Sequence, residues 1–482
     1  MPGILGSVLQ KNGSDIWNIS LQVATRATRE IFTRRSLLEE LIIIEDDPER
    51  DYLDDGIKAT GLIQDATLVP GFFKVDGYLY LRNQLIKNFQ VTLGKIDSHT
   101  PANFFEFAYD WRRDNRVSAR LLKKLIDKKL LLWQETYPDA QVILIAHSMG
   151  GLVSRYYLEH LGGREHCKAL ITLSTPHRGS VKALNFLANG YQKRPLPALT
   201  DVLRSFTSAY QLLPMYPVMK NHENWQRVAE TDGILGVDKE RATEAREFLQ
   251  LINEPNNQTT YEFKPIIGVG QKSTFQSASL TNGKLEVSNS TLPLNPNTQE
   301  PLDANYATGD DTVPLLSAIP IKLSKKLQDV PLIESHGVLQ SNVQVWNLLQ
   351  SYLMRLQNNI EDFQNPQTIQ SGTQTAGISI SVDDLYLPDE EVIMSAEIIN
   401  VSSDILEHTR NFEGLSAIIT LVDANAQQEK VIVSLQQTQD TQYQLILNPN
   451  KLAPGLYCLQ VETNRSHDQA PKAVHNLFQV MG

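Results

Sequence analysis

Gln141-Val-Ile-Leu-Ile-Ala146 runs straight into His147-Ser148-Met149-Gly150-Gly151-Leu152-Val153. An unbroken apolar run of this length is what a buried parallel strand requires. The glycine-rich stretch after it opens a helix. Strand, small-x-Ser-x-Gly, helix is the nucleophile elbow, a strained turn that exposes a serine hydroxyl. Small residues are needed two before and two after the serine, because larger side chains would strike the neighbouring strand and helix. Ala146 and Gly150 stand at those two places. Met149 then follows the serine at a helix N-terminus, where its N–H can donate to a developing oxyanion. The bare pattern also arises by chance in loops, but the flanking strand and helix favour the elbow.

A serine needs a base to act as a nucleophile. In this topology the order is Ser…Asp/Glu…His, so the partners lie downstream. Thr308-Gly-Asp310-Asp311-Thr-Val-Pro314 follows a β-rich stretch. Val330-Pro-Leu-Ile-Glu-Ser-His336-Gly337 ends a strand and precedes a helix. Ser148 as nucleophile, one aspartate of the Asp310-Asp311 pair as acid and His336 as base form the expected triad. Asp311 is the alternative acid, since spacing alone cannot separate two adjacent carboxylates. An Asx-turn would also explain the aspartate pair.

Outward from the elbow, strands and helices alternate up to about residue 356, an α/β order. Strands are expected at 104–109, 168–173, 261–269 and 330–334. One helix carries Leu121, Leu122, Leu125 and Leu132 on a stripe. Another carries Leu339, Val343, Trp346, Leu349 and Leu353. Residues 190–260 read as a helical insertion without strands. Gln357 to Thr375 is polar and amide-rich, the chemistry of a linker. From 376 to 482 short alternating strands recur, as in an immunoglobulin-like β-sandwich. The expected architecture is therefore an α/β-hydrolase domain over 1–356 with a helical lid at 190–260, a linker at 357–375, and a sandwich at 376–482. The strand pattern predicts that the sandwich is independent, and that a 1–363 fragment keeps short-chain ester hydrolysis.

Composition narrows the class. The chain has 482 residues, 44 Lys and Arg against 55 Asp and Glu, and a net charge of −11. That balance offers no footprint for nucleic acid. Its two cysteines, Cys167 and Cys458, make no disulfide framework and no zinc pair. The acidic stretch Glu45-Asp-Asp47 to Asp54-Asp55 reads as a solvated loop more than as a calcium site. His177 reads as structural. Lys123, Lys124, Lys128 and Lys129 read as the wet face of a helix. No signal peptide and no apolar run of membrane length is present, so the expectation is a cytoplasmic or membrane-peripheral protein. No cofactor or metal is expected.

Several motifs occurring in order resemble the lecithin:cholesterol acyltransferase family. Pro2-Gly-Ile-Leu-Gly-Ser7 is similar to its oxyanion loop, and Phe107-Ala-Tyr-Asp-Trp-Arg-Arg113 to its Tyr-Asp-Trp-Arg segment. Ala146 to Gly151 is similar to its elbow, and Ser205-Phe-Thr-Ser-Ala-Tyr-Gln-Leu-Leu-Pro214 to its lid stretch. Gly309 to Pro314 and Ser335-His-Gly337 are similar to its acid and base loops. The resemblance implies a lipid acyl-ester hydrolase or O-acyltransferase working through Ser148, Asp310 and His336, with the Ile4 and Met149 N–H groups as the oxyanion hole. A lipid-anchor deacylase or general esterase is the alternative. A third reading is an impaired hydrolase whose sandwich binds a partner, which the sequence does not identify.

From Leu199 to Leu213 one helical stripe is apolar, which fits a helix packed on the core or a device that transiently touches a membrane. The family has a strand before its Pro-Gly loop, whereas here only Met1 precedes Pro2. The expectation is a reading frame that begins upstream, and an Ile4 that frays without that strand.

Overall fold

The computed structural model describes residues 1–18, 39–191, 197–222, 224–254, 260–294, 300, 302, 306–321, 331–358, 376–399, 414–422, 430–464 and 470–481. At its centre the elbow strand, Val142–His147, pairs in parallel with Cys167–Leu173, which pairs in parallel with Glu262–Ile266. Gly268–Val269 continues the same direction beside Leu332–Ile333. These parallel strands need crossover helices, and the α/β order supplies them. Helix Asn115–Gln134 is capped by the Asp114 carboxylate and buries Val117, Ala119, Leu122, Leu125 and Ile126. Cys167 and Leu170 to Leu173 are fully buried, as expected of a strand covered on both faces.

The segment 104–109 is extended but is not a strand. Among its residues only Phe104 makes a bridge, to Leu93. An apolar cavity of about 440 Å³ separates it from the elbow strand, lined by Phe104, Phe105, Phe107, Ile143 and Ile145. A strand exists only where a neighbour completes its ladder, and among the described residues none pairs with 105–109. Among the described residues, Met1 alone pairs with that edge of the elbow strand. Its amine donates to Ile145 O (2.9 Å) and its carbonyl accepts from His147 N (3.1 Å).

Four other expectations need correction. Residues 190–260 contain two short strands, Met219–Asn221 and Asn224–Gln226, the first recruited by Ser277–Thr281. Val343 is exposed, because Leu339 belongs to a 3-10 segment, His336–Ser341, whose tighter turn breaks the helical phase. Lys129 is buried, donating to Lys95 O (3.1 Å) and lying over the Phe105 ring. The acidic stretch is not solvated throughout, since Asp46 binds Arg113 (3.0 Å) and Asp55 binds the buried Arg112 (2.8 Å). Removing either partner of the buried Asp46–Arg113 pair costs about 3–5 kcal/mol.

Beyond residue 376 two sheets enclose one core. The first holds Gly377–Val382, Val392–Ile399, Gln442–Leu447 and Gln436–Gln439. The second holds Leu385–Tyr386, Val474–Val480, Gly455–Thr463, Leu415–Leu421 and Lys430–Ser434. Val392–Ile399 alternates buried and exposed positions, and Met394 and Ala396 meet Ile419, Leu459 and Phe478 inside. The linker expected at 357–375 lies outside the described residues from 359 onward. Among the described residues no helix is long and apolar enough to cross a membrane.

Candidate active site

The elbow strand ends at His147, and Ser148 turns the chain with φ +52°. A left-handed conformation in a residue other than glycine is costly and marks a turn held by its surroundings. Helix Gly150–His160 begins two residues later. Glycine is obligatory at 150, because a Cβ there would lie 2.4 Å from Pro2 O. The Pro2–Gly6 loop is thereby pressed against the elbow. Gly3 lies so close that a Cβ on it would sit 2.8 Å from the Ser148 Cβ. The next residue, Ile4, is 2% exposed. It does not fray, since Tyr109 OH donates to Pro2 O (2.8 Å) and Trp111 Nε1 donates to Ser7 O (2.9 Å). The Tyr-Asp-Trp-Arg segment thus anchors the N-terminal loop.

Leu332–Ile333 delivers His336 to the same place. Its Nε2 is 2.9 Å from Ser148 Oγ, and its Nδ1 is 2.7 Å from Asp310 Oδ2. All three side chains are buried. An ionised carboxylate only accepts, so Nδ1–H donates to Asp310 and the bare Nε2 accepts the serine proton. Asp310 Oδ1 separately accepts Thr312 N (3.1 Å) and Val313 N (2.7 Å). The Asx-type turn and the histidine contact therefore coexist on one residue, each using its own oxygen. Asp310 O also accepts His336 N (2.7 Å).

Asp311 turns away, with φ +78°. It accepts from Ser273 Oγ (2.8 Å) and pairs with Lys182 (3.3 Å). Ser148, His336 and Asp310 come together, and Asp311 does not join them. Met149 is buried at the start of the elbow helix, and Ile4 follows the glycine that touches Ser148.

Two residues escaped sequence reasoning. His147 is buried, and its imidazole is held well below its ordinary pKa, first by burial and then by the neighbouring His336. A neutral ring has one donor and one acceptor. Its Nε2 faces His336 O (3.1 Å) and must donate there, so Nδ1 accepts from Tyr78 OH (3.0 Å). The Tyr78 oxygen in turn accepts Gly3 N–H (2.9 Å). One hydrogen-bonded chain thus joins the N-terminal loop to the His336 loop beneath Ser148. The histidine inside the elbow was its only sequence signal. Tyr78→Phe leaves both the Gly3 N–H and the His147 Nδ1 unpaired, each costing about 1–3 kcal/mol. The expected result is a kcat about tenfold lower with KM little changed, read by steady-state ester hydrolysis.

The stripe expected in the lid packs inward. Val202, Leu203, Phe206 and Tyr210 are buried, and Phe206 meets Trp111 edge to face at 5.5 Å. His177 is also buried, edge-on to Phe263.

The lecithin:cholesterol acyltransferase family model matches residues 69–318, more than half of the chain. That span includes Ser148 and Asp310 but stops short of His336. The lysosomal phospholipase A and acyltransferase of Bos taurus is 28% identical over 158 residues, covering 30% of this chain and 36% of that protein. The Homo sapiens protein of the same name is 31% identical over 117 residues, covering 22% and 27%. The chain therefore spans about a third, or less, of the length of these relatives.

Proposed function

Since the chain belongs to the lecithin:cholesterol acyltransferase family, we propose that it is a serine-dependent lipid acyl hydrolase or O-acyltransferase. The observation that carries the proposal is the unbroken chain from Ser148 Oγ through His336 to Asp310. Ser148 attacks an ester carbonyl while His336 Nε2 takes its proton, and Asp310 holds the imidazolium that results. The Ile4 and Met149 N–H groups receive the oxyanion. Collapse of the tetrahedral intermediate breaks the ester bond, and His336 returns the proton to the leaving alcohol. An acyl-serine remains. Water or a second alcohol, deprotonated by His336, then takes the acyl group and frees Ser148.

The proposed architecture is an α/β-hydrolase domain with a lid within 190–260, followed by an immunoglobulin-like sandwich. In this reading the enzyme is peripheral to its lipid. Contact between the lid stripe and a lipid surface requires Phe206 to leave Trp111. The relatives' names pair a phospholipase A with an acyltransferase, and both reactions share one acyl-enzyme. The test is incubation of the purified protein with phosphatidylcholine vesicles, with and without a long-chain alcohol. The expected products are free fatty acid, and acylated alcohol once the acceptor is present. Turnover of short water-soluble esters alone, with vesicles untouched, would replace this reading with a general esterase.

A further inference from the structure

The loop that carries His336 is tied to the C-terminal sheets from both sides, on one side through Lys74 and on the other through Glu334. On one side, Gly337 O accepts Asp76 N (2.7 Å), and Gly337 lies so close to Lys74 that a Cβ would sit 2.3 Å from the Lys74 carbonyl. Lys74 belongs to the strand Phe73–Val75. Its buried ammonium is held by Asp384 Oδ1 (2.6 Å) and Asn476 Oδ1 (2.9 Å). Asp384 Oδ2 also accepts Gly71 N (2.6 Å). On the other side, Glu334 stands two residues before His336 and is 1% exposed. It accepts His475 N (3.1 Å), faces His475 Nδ1 (3.2 Å), and accepts Asn342 Nδ2 (2.7 Å). His475 is held above its ordinary pKa: burial pushes it down, but the Glu334 carboxylate together with Asp76 and Glu462 outweighs that cost.

Both attachments spring from one sheet. Gln479 N donates to Asp384 O (2.9 Å), and Leu385–Tyr386 pairs with Val474–Val480, the strand bearing His475 and Asn476. Asn476 and Leu477 line the same crevice as Ser335, His336 and Gly337. Burying ions at a junction is costly unless geometry repays it, and here it fixes a loop whose placement governs reaction.

We propose that Asp384, Asn476 and His475 are positioning residues that clamp the His336 loop through Lys74 and Glu334, so that the C-terminal sheets form part of the acyl-transfer apparatus. This rests on the triad reading above. It reverses the expectation that a 1–363 fragment stays active.

The test uses the full chain with 4-nitrophenyl butyrate. Asp384→Asn and His475→Ala are each expected to lower kcat by about 10- to 100-fold, the size of effect a 1 Å misplacement produces. KM should change less than about threefold, and amide exchange at 334–338 should quicken. His475→Gln, which keeps an N–H for Glu334, should recover most of kcat. Glu397→Ala breaks a different junction contact, Lys272 to Glu397 (2.6 Å), and should leave kcat unchanged, as should the milder Glu397→Gln. If Asp384→Asn fails to fold, Asn476→Ser loosens Lys74 without unpairing its charge and carries the same expectation. Wild-type kcat and exchange in Asp384→Asn or Asn476→Ser and in His475→Ala would overturn the proposal. So would an equal loss in Glu397→Ala or Glu397→Gln. Retention of activity by Ser148→Ala would instead overturn the triad reading, which keeps the two failures apart.

Discussion

Ser148→Ala is expected to lower kcat for ester turnover by at least about 10⁴-fold, with KM and melting temperature close to wild type. In the proposed mechanism Oγ is the atom that becomes acylated, and among the described residues no neighbouring group can substitute for it. His147 faces Tyr78 and a carbonyl, and Ser174 donates its hydroxyl to none of the reacting atoms but accepts Gly268 N (2.9 Å). Stability is spared for a local reason. Alanine meets the same backbone demand as serine at φ +52°, and His336 stays anchored by Asp310 at 2.7 Å when its other contact is lost. Steady-state kinetics and a thermal melt together check both halves.

Asp310→Asn should be nearly as damaging, with kcat lowered by about 10³- to 10⁴-fold, whereas Asp311→Asn should cost less than about tenfold. The amide can keep its oxygen on Thr312 and Val313 N–H, so the turn survives. Its NH₂ then points at His336 Nδ1 and demands an acceptor there. The ring's proton moves to Nε2, where it faces Ser148 and cannot accept a second one. Asp311→Asn disturbs only Ser273 and Lys182, and Lys182 keeps the fields of Asp384 and Asp310. A larger loss at Asp311 would exchange the two assignments.

How much of this was legible in the sequence varied with the range of the interaction. The elbow was readable because strand, serine and glycine-rich helix start are contiguous, and their sterics are local. His336 was legible as a candidate because a strand-to-helix loop is where the proposed topology would put a base. Choosing between Asp310 and Asp311 was not, since the choice is made by a positive φ at Asp311 and by partners tens of residues away. Tyr78 carried no signal, as its role depends on meeting Gly3 and His147 across the fold. The segment 104–109 looked like a strand by composition, but a strand is a property of a pair. The stripe read over 199–213 is apolar, and only packing against Trp111 decided what it faces. The strand pattern beyond 376 was clear, yet nothing in it revealed Asp384 and His475 as links to the His336 loop.

The central claim is that Ser148 is the nucleophile. A fluorophosphonate probe reports this directly, because it phosphonylates only a serine activated by its surroundings. Native protein is incubated with the probe, digested, and mapped by mass spectrometry. The expected result is a single modified residue, Ser148, with no labelling in Ser148→Ala or in heat-unfolded protein. A label on any other residue, or an unlabelled Ser148 in protein that still turns over ester, would contradict it.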